Sequence, residues 1–122
     1  MIRVFLVVRA EYDFAQSFIQ TGVFMIRHVL FIQYKEQATA ADIATSLANF
    51  EAIKSKIDGI ESVEWGLNNS PEGRNKDYTH CVFMTFVDEA ARDAYIPHPE
   101  HEVLKAQLGP ILEDIIVFDY SI

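Results

Sequence analysis

The chain has 122 residues, half of them apolar and 23% charged, which suits one domain around one hydrophobic core. Its formal net charge is −8, from 18 acidic and 10 basic side chains, so nucleic acid and anionic membrane are not expected as partners. A lone cysteine, Cys81, excludes an intrachain disulfide and fits a reducing compartment, the cytoplasm by default.

Residues 1–24 read as an N-terminal extension. Ile2 to Val8 suits a strand and Tyr12 to Ile19 a short helix. Met25-Ile26-Arg27 repeats the opening Met1-Ile2-Arg3, which makes Met25 a second candidate start. The first apolar run is short, and Arg9, Glu11 and Asp13 follow at once, so no export signal is expected. No apolar stretch reaches the length that crosses a bilayer.

From Met25 to Ile122 the pattern is that of one α+β domain. Ile26 to Tyr34, rich in β-branched and aromatic residues, predicts a strand. Thr39 can cap a helix, with Asp42 three residues on as in a capping box. Ile43, Leu47, Phe50, Ile53 and Ile57 then form one apolar stripe. Lys54 and Lys56 suit the negative end of the helix dipole, and Gly59 suits a left-handed stop. Ile60 to Leu67 predicts a second strand, and the polar stretch Asn68 to Lys76, with Pro71 and Gly73, a loop. Tyr78 to Val87 predicts a third strand. Asp88 caps a short helix that runs through Tyr95 and must end at Pro97. Pro99 opens a further helix that ends near Gly109-Pro110, and Ile111 to Tyr120 holds the last strand.

This order is the βαββαβ, ferredoxin-like arrangement: an antiparallel sheet with helices on one face. Alternation along each strand makes both faces apolar. The face away from the helices is expected to carry Val29, Phe31, Cys81, Phe83, Ile115 and Val117. Soluble monomers rarely expose so large an apolar patch. Two copies packed sheet to sheet, a homodimer, cover it most simply. The alternative is that residues 1–24 cover it within one chain.

Four polar residues stand out: His28, His80, Tyr95 and His101. On the helix-side face, His28 and His80 would look into one gap with Tyr95 and His101, above a lining of Leu30, Ile32, Val82 and Met84. One imidazole can take an acidic proton while the Tyr95 phenol donates to the developing oxyanion, and the apolar lining would hold a greasy tail. Plainer roles are open to the same residues. A buried histidine often only satisfies a backbone carbonyl, Tyr95 can be a core aromatic, and His98 can cap the helix that Pro99 opens. His98 and His101 lie three apart, without a carboxylate or thiolate cluster to complete a metal site, so neither metal nor cofactor is expected.

His28-Val29-Leu30-Phe31, Tyr78-Thr79-His80 with Met84-Thr85-Phe86, Tyr95-Ile96-Pro97-His98-Pro99-Glu100-His101 and Leu112 to Tyr120 together resemble the stress-responsive dimeric α/β-barrel (Dabb) family. The likeness runs from Met25 to Tyr120, and residues 1–24 have no counterpart in it. It implies a ferredoxin-like monomer and a homodimeric barrel. Most members have no assigned reaction, and one plant member is a polyketide cyclase that closes a ring by aldol condensation. By that analogy His101 is the general base, Tyr95 the oxyanion donor, and His28 and His80 line the pocket. Two functions follow: a homodimer with a small apolar ligand pocket and no assigned activity, or a cofactor-free lyase or cyclase of a polyketide-like substrate. Nothing in the residues demands the haem ligand or aromatic-substrate pocket of the wider barrel group.

Overall fold

A computed structural model describes residues 24–122. The expected strand and helix of residues 1–24 lie outside the described residues. The elements are β1 (Ile26–Tyr34), α1 (Ala40–Ala52), β2 (Ile60–Leu67), β3 (His80–Phe86), α2 (Glu89–Tyr95), α3 (Pro99–Leu108) and β4 (Leu112–Ser121). Short 3₁₀ turns, Ile53–Ser55 and Gly109–Ile111, follow α1 and α3.

Local chemistry sets the helix starts. The Thr39 hydroxyl accepts from the Asp42 N–H, and the Asp42 carboxylate accepts from the Thr39 N–H, each at 3.0 Å. This closes the capping box read from the sequence. Asp88 accepts from the Ala91 N–H at 2.8 Å to start α2. His98 Nδ1 accepts from the Glu100 N–H at 3.0 Å and caps α3, with Pro99 at its first position. α1 is shorter than its apolar stripe. Ile53 and Ile57 continue that stripe into the core from the 3₁₀ turn and the residues after it.

Gly59 does adopt the left-handed conformation, at φ +91°, but it belongs to the turn into β2, well past the end of α1. A Cβ there would sit 2.6 Å from the Cβ of Ala91. The missing side chain lets α2 lie directly on this turn.

The sheet is antiparallel throughout, in the order β2-β3-β1-β4. The helix-side core holds Ile26, Leu30, Ile32, Val82, Met84 and Phe86 against Leu47, Phe50, Leu104 and Leu108. Burying such side chains contributes about 1.5–3 kcal/mol each. The opposite face leaves Phe31, Ile116, Phe118 and Tyr120 exposed.

The strand register corrects one expectation. Ile115 pairs with Ile32 and Val117 with Leu30, whereas Ile116 pairs with Phe31 and Phe118 with Val29. Directly opposed residues share a face. Ile115 and Val117 therefore face the helices, and Ile116 and Phe118 join Val29, Phe31, Cys81 and Phe83 on the open side. Alternation along β4 separates the two sets but assigns neither to a face; only pairing with β1 does that.

Candidate functional site

A cavity of about 370 Å³ opens between α3 and the β1–β4 half of the sheet. Leu30, Phe50, Leu104, Leu108, Ile115 and Val117 give it apolar walls, and His28, Tyr95, His101 and Asp119 gather in its polar part. Three of the four expected polar residues thus line one cavity. His80 does not. It pairs with Ile32, four residues along β1 from His28, about 13 Å away at roughly 3.3 Å per residue. Both lie on the expected face, but at opposite ends of it. Of the expected lining, Leu30 is present, while Ile32, Val82 and Met84 are 0% exposed and form the packed floor. Tight packing against α1 and α2 closes that part of the gap.

His101 lies in the first turn of α3, its ring stacked on Tyr95 with centroids 4.0 Å apart. Its Nδ1 is 2.9 Å from the carbonyl oxygen of Ile96. A carbonyl only accepts, so Nδ1 carries the proton and Nε2 keeps a free lone pair in the neutral ring. Burial lowers the His101 pKa, and the Ile96 hydrogen bond partly opposes this. The neutral, basic form therefore dominates at neutral pH.

Tyr95 is nearly fully buried, and burial pushes its phenol far up, so it remains a proton donor. Its hydroxyl points at Met84 Sδ, 3.9 Å away. A thioether is a weak acceptor, so this donor is only weakly committed.

His28 meets Tyr95 edge-on, ring centroids 5.8 Å apart. Its Nδ1 donates to Asp119 Oδ1 at 2.6 Å, and Asp119 Oδ2 accepts from Arg92 Nη1 at 2.9 Å. Sequence reasoning missed Asp119 and Arg92. A signal for Asp119 was present: an acid at the same parity as Ile115 and Val117, inside an otherwise apolar strand.

The surroundings of His80 differ. Its Nδ1 is 2.8 Å from the Thr79 hydroxyl, and the rings of Tyr34 and Trp65 flank it. Burial lowers its pKa. It borders a larger, more open hollow of about 990 Å³, which spreads over Phe31, Phe83 and the loop carrying Arg74 and Lys76. Among the described residues, no three His, Cys, Asp or Glu side chains are placed to share a metal ion. No helix of the described residues is long and apolar enough to cross a membrane.

Sheet order, helices that cover one face among the described residues, and a histidine-lined cavity beneath α3 define a ferredoxin-like α+β protein with a partly open, polar-ended pocket. The chain belongs to the stress-responsive A/B barrel domain family, whose model matches residues 26–122. It is 27% identical over 97 residues to a stress-response A/B barrel domain-containing protein of Arabidopsis thaliana, covering 79% of this chain and 85% of the relative. It is 24% identical over 96 residues to olivetolic acid cyclase of Cannabis sativa, covering 79% and 95%. The solved structure of a hydroxynitrile lyase from Passiflora edulis superposes with a TM-score of 0.76 at 25% identity, covering 80% and 93%. Dimeric ferredoxin-like proteins of unknown function from three bacteria share the fold at 18–24% identity.

Proposed function

We propose that this protein is a cytoplasmic homodimer whose cavity binds a small, mostly apolar carbonyl compound and moves a proton on it without a cofactor. The observation that carries this reading is His101. Its Nδ1–H is tied to the Ile96 carbonyl, its Nε2 lone pair has no hydrogen-bond partner among the described residues, and it borders an apolar cavity. In the proposed step, Nε2 takes a proton from a carbon beside a carbonyl, and the C–H electron pair becomes the enolate. The Tyr95 O–H, whose partner among the described residues is Met84 Sδ, turns from that weak acceptor and donates to the enolate oxygen. The enolate carbon can then attack a second carbonyl of the same molecule. A C–C bond forms, and the new alkoxide recovers the proton from the imidazolium. The apolar walls suit an alkyl tail.

Two relatives bear enzyme names, a cyclase and a hydroxynitrile lyase, which supports chemistry in this pocket. The exposed Phe31, Ile116 and Phe118, together with dimeric proteins of the same fold, support pairing through the open sheet face. The lone thiol supports a reducing compartment. A second reading, ligand binding without chemistry, is favoured by the direction of the Tyr95 hydroxyl, into the core toward Met84.

The test is α-proton exchange of a linear 2,4-diketone in D₂O, followed by NMR. The expected result is exchange well above the buffer rate, reduced by about 10²-fold or more in His101→Gln. Exchange at the buffer rate with the native protein would leave only the binding reading.

A further inference from the structure

We propose that Arg92 is a positioning residue for His28: by holding one oxygen of Asp119, it aims the other at Nδ1 and so sets the tautomer of the neutral ring, with the proton on Nδ1 and the lone pair on Nε2. This deepens the reading of the cavity above, but it needs no turnover to be true.

The geometry is a chain of three groups from three elements. Arg92 comes from α2, Asp119 from β4 and His28 from β1. Arg92 Nη1 donates to Asp119 Oδ2 at 2.9 Å, and Asp119 Oδ1 accepts from His28 Nδ1 at 2.6 Å. Both carboxylate oxygens are thus engaged, which fixes the plane of the carboxylate. An Asp119 held on one side only would swing about its side-chain torsions, and His28 would sample both ring-proton positions. Arg92 is itself held. Its Nε donates to Asp93 Oδ1 at 2.7 Å, and its Nη2 lies 3.4 Å from Glu89 Oε2. The planar fork spans these partners at once, which a lysine ammonium cannot do in the same geometry.

The consequence for the cavity is chemical. Among the described residues, no group hydrogen-bonds His28 Nε2, so a ring protonated at Nδ1 offers an acceptor. The ligand group that fits is a hydroxyl or enol O–H, distinct from the C–H proton assigned to His101. Tyr95 donates, His28 accepts, and their ring centroids lie 5.8 Å apart. The substrate class this favours carries a carbonyl and an enol or hydroxyl close together, as the enol form of a 1,3-dicarbonyl does.

The experiment is a long-range ¹H–¹⁵N correlation of the histidine rings at pH 7.5, on the full chain without ligand. In the native protein, the two His28 ring nitrogens should resonate far apart, as in a single Nδ1–H tautomer. In Arg92→Gln the two shifts should converge as the tautomers mix, and in Arg92→Lys they should converge less. Asp93→Asn removes the outer partner only and should leave His28 unmoved. Unchanged His28 shifts in Arg92→Gln would overturn the proposal, as would an equal shift in Asp93→Asn. Should Arg92→Gln not fold, Arg92→Lys decides: convergence supports the role and identity with the native spectrum overturns it. If the native protein exchanges no diketone proton yet Arg92→Gln mixes the tautomers, the positioning role stands and the enzymatic reading fails.

Discussion

His28 and His80 are each 8% exposed, on the same face of the same sheet, yet they are not equivalent. His28 has a carboxylate on Nδ1, a guanidinium behind that carboxylate, and a cavity beside it. His80 has a neighbouring hydroxyl and two aromatic rings. Burial alone makes an imidazole a core residue that avoids charge. A fixed partner on one nitrogen gives the other nitrogen a defined chemical role.

The sharpest way to break this contrast is to remove one histidine at each end. His101→Gln should reduce diketone exchange by about 10²-fold or more, while His80→Gln should stay within roughly threefold of native. Equal losses would mean that the two ends act as one site. Next in size is the contrast between the two faces of β4. Phe118→Asp, on the open side, should raise the dimer dissociation constant by about 30-fold or more in sedimentation equilibrium, matching a hot spot of about 2 kcal/mol. Val117→Asp should leave association intact and impair the cavity. Within the two histidine environments, Asp119→Asn should cost about 1.5–3 kcal/mol of stability, because it weakens two charge-assisted hydrogen bonds. Thr79→Val should cost only about 1 kcal/mol beside His80. Urea titration separates these values.

Acid provides the mildest test. Burial lowers the pKa of both His80 and His101, so the unfolded chain binds more protons than the native one. Stability from these two groups is complete above the unfolded pKa of about 6.5 and is lost as pH falls from there through the lowered native values. The melting temperature should fall over that window, and His80→Gln should flatten part of the slope. A slope unchanged in that variant would mean that His80 titrates normally in the folded chain.

How much was legible in the sequence follows the distance over which each feature is decided. The Thr39–Asp42 box, the Asp88 cap and the Pro99 helix start depend on residues a turn apart, and all are present. The outward side of β4 depends on pairing with a strand some ninety positions earlier, as Val117 with Leu30 illustrates, and parity alone misassigned it. The cluster was legible for Tyr95 and His101, which share the loop around Pro97. It was not legible for His80, because a shared face does not fix a position along the strand. Asp119 and His28 are 91 residues apart and meet only through the β1–β4 register.

The contact between Gly59 and Ala91 carries a consequence for how substitutions spread. Tyr95 follows Ala91 by one helical turn, and Arg92 adjoins it. Any side chain at Gly59 must displace α2, and that displacement carries both residues with it. A saturation-mutagenesis scan should therefore find a hinge-like bend, remote from the pocket and without a functional group of its own, behaving as intolerantly as the pocket wall.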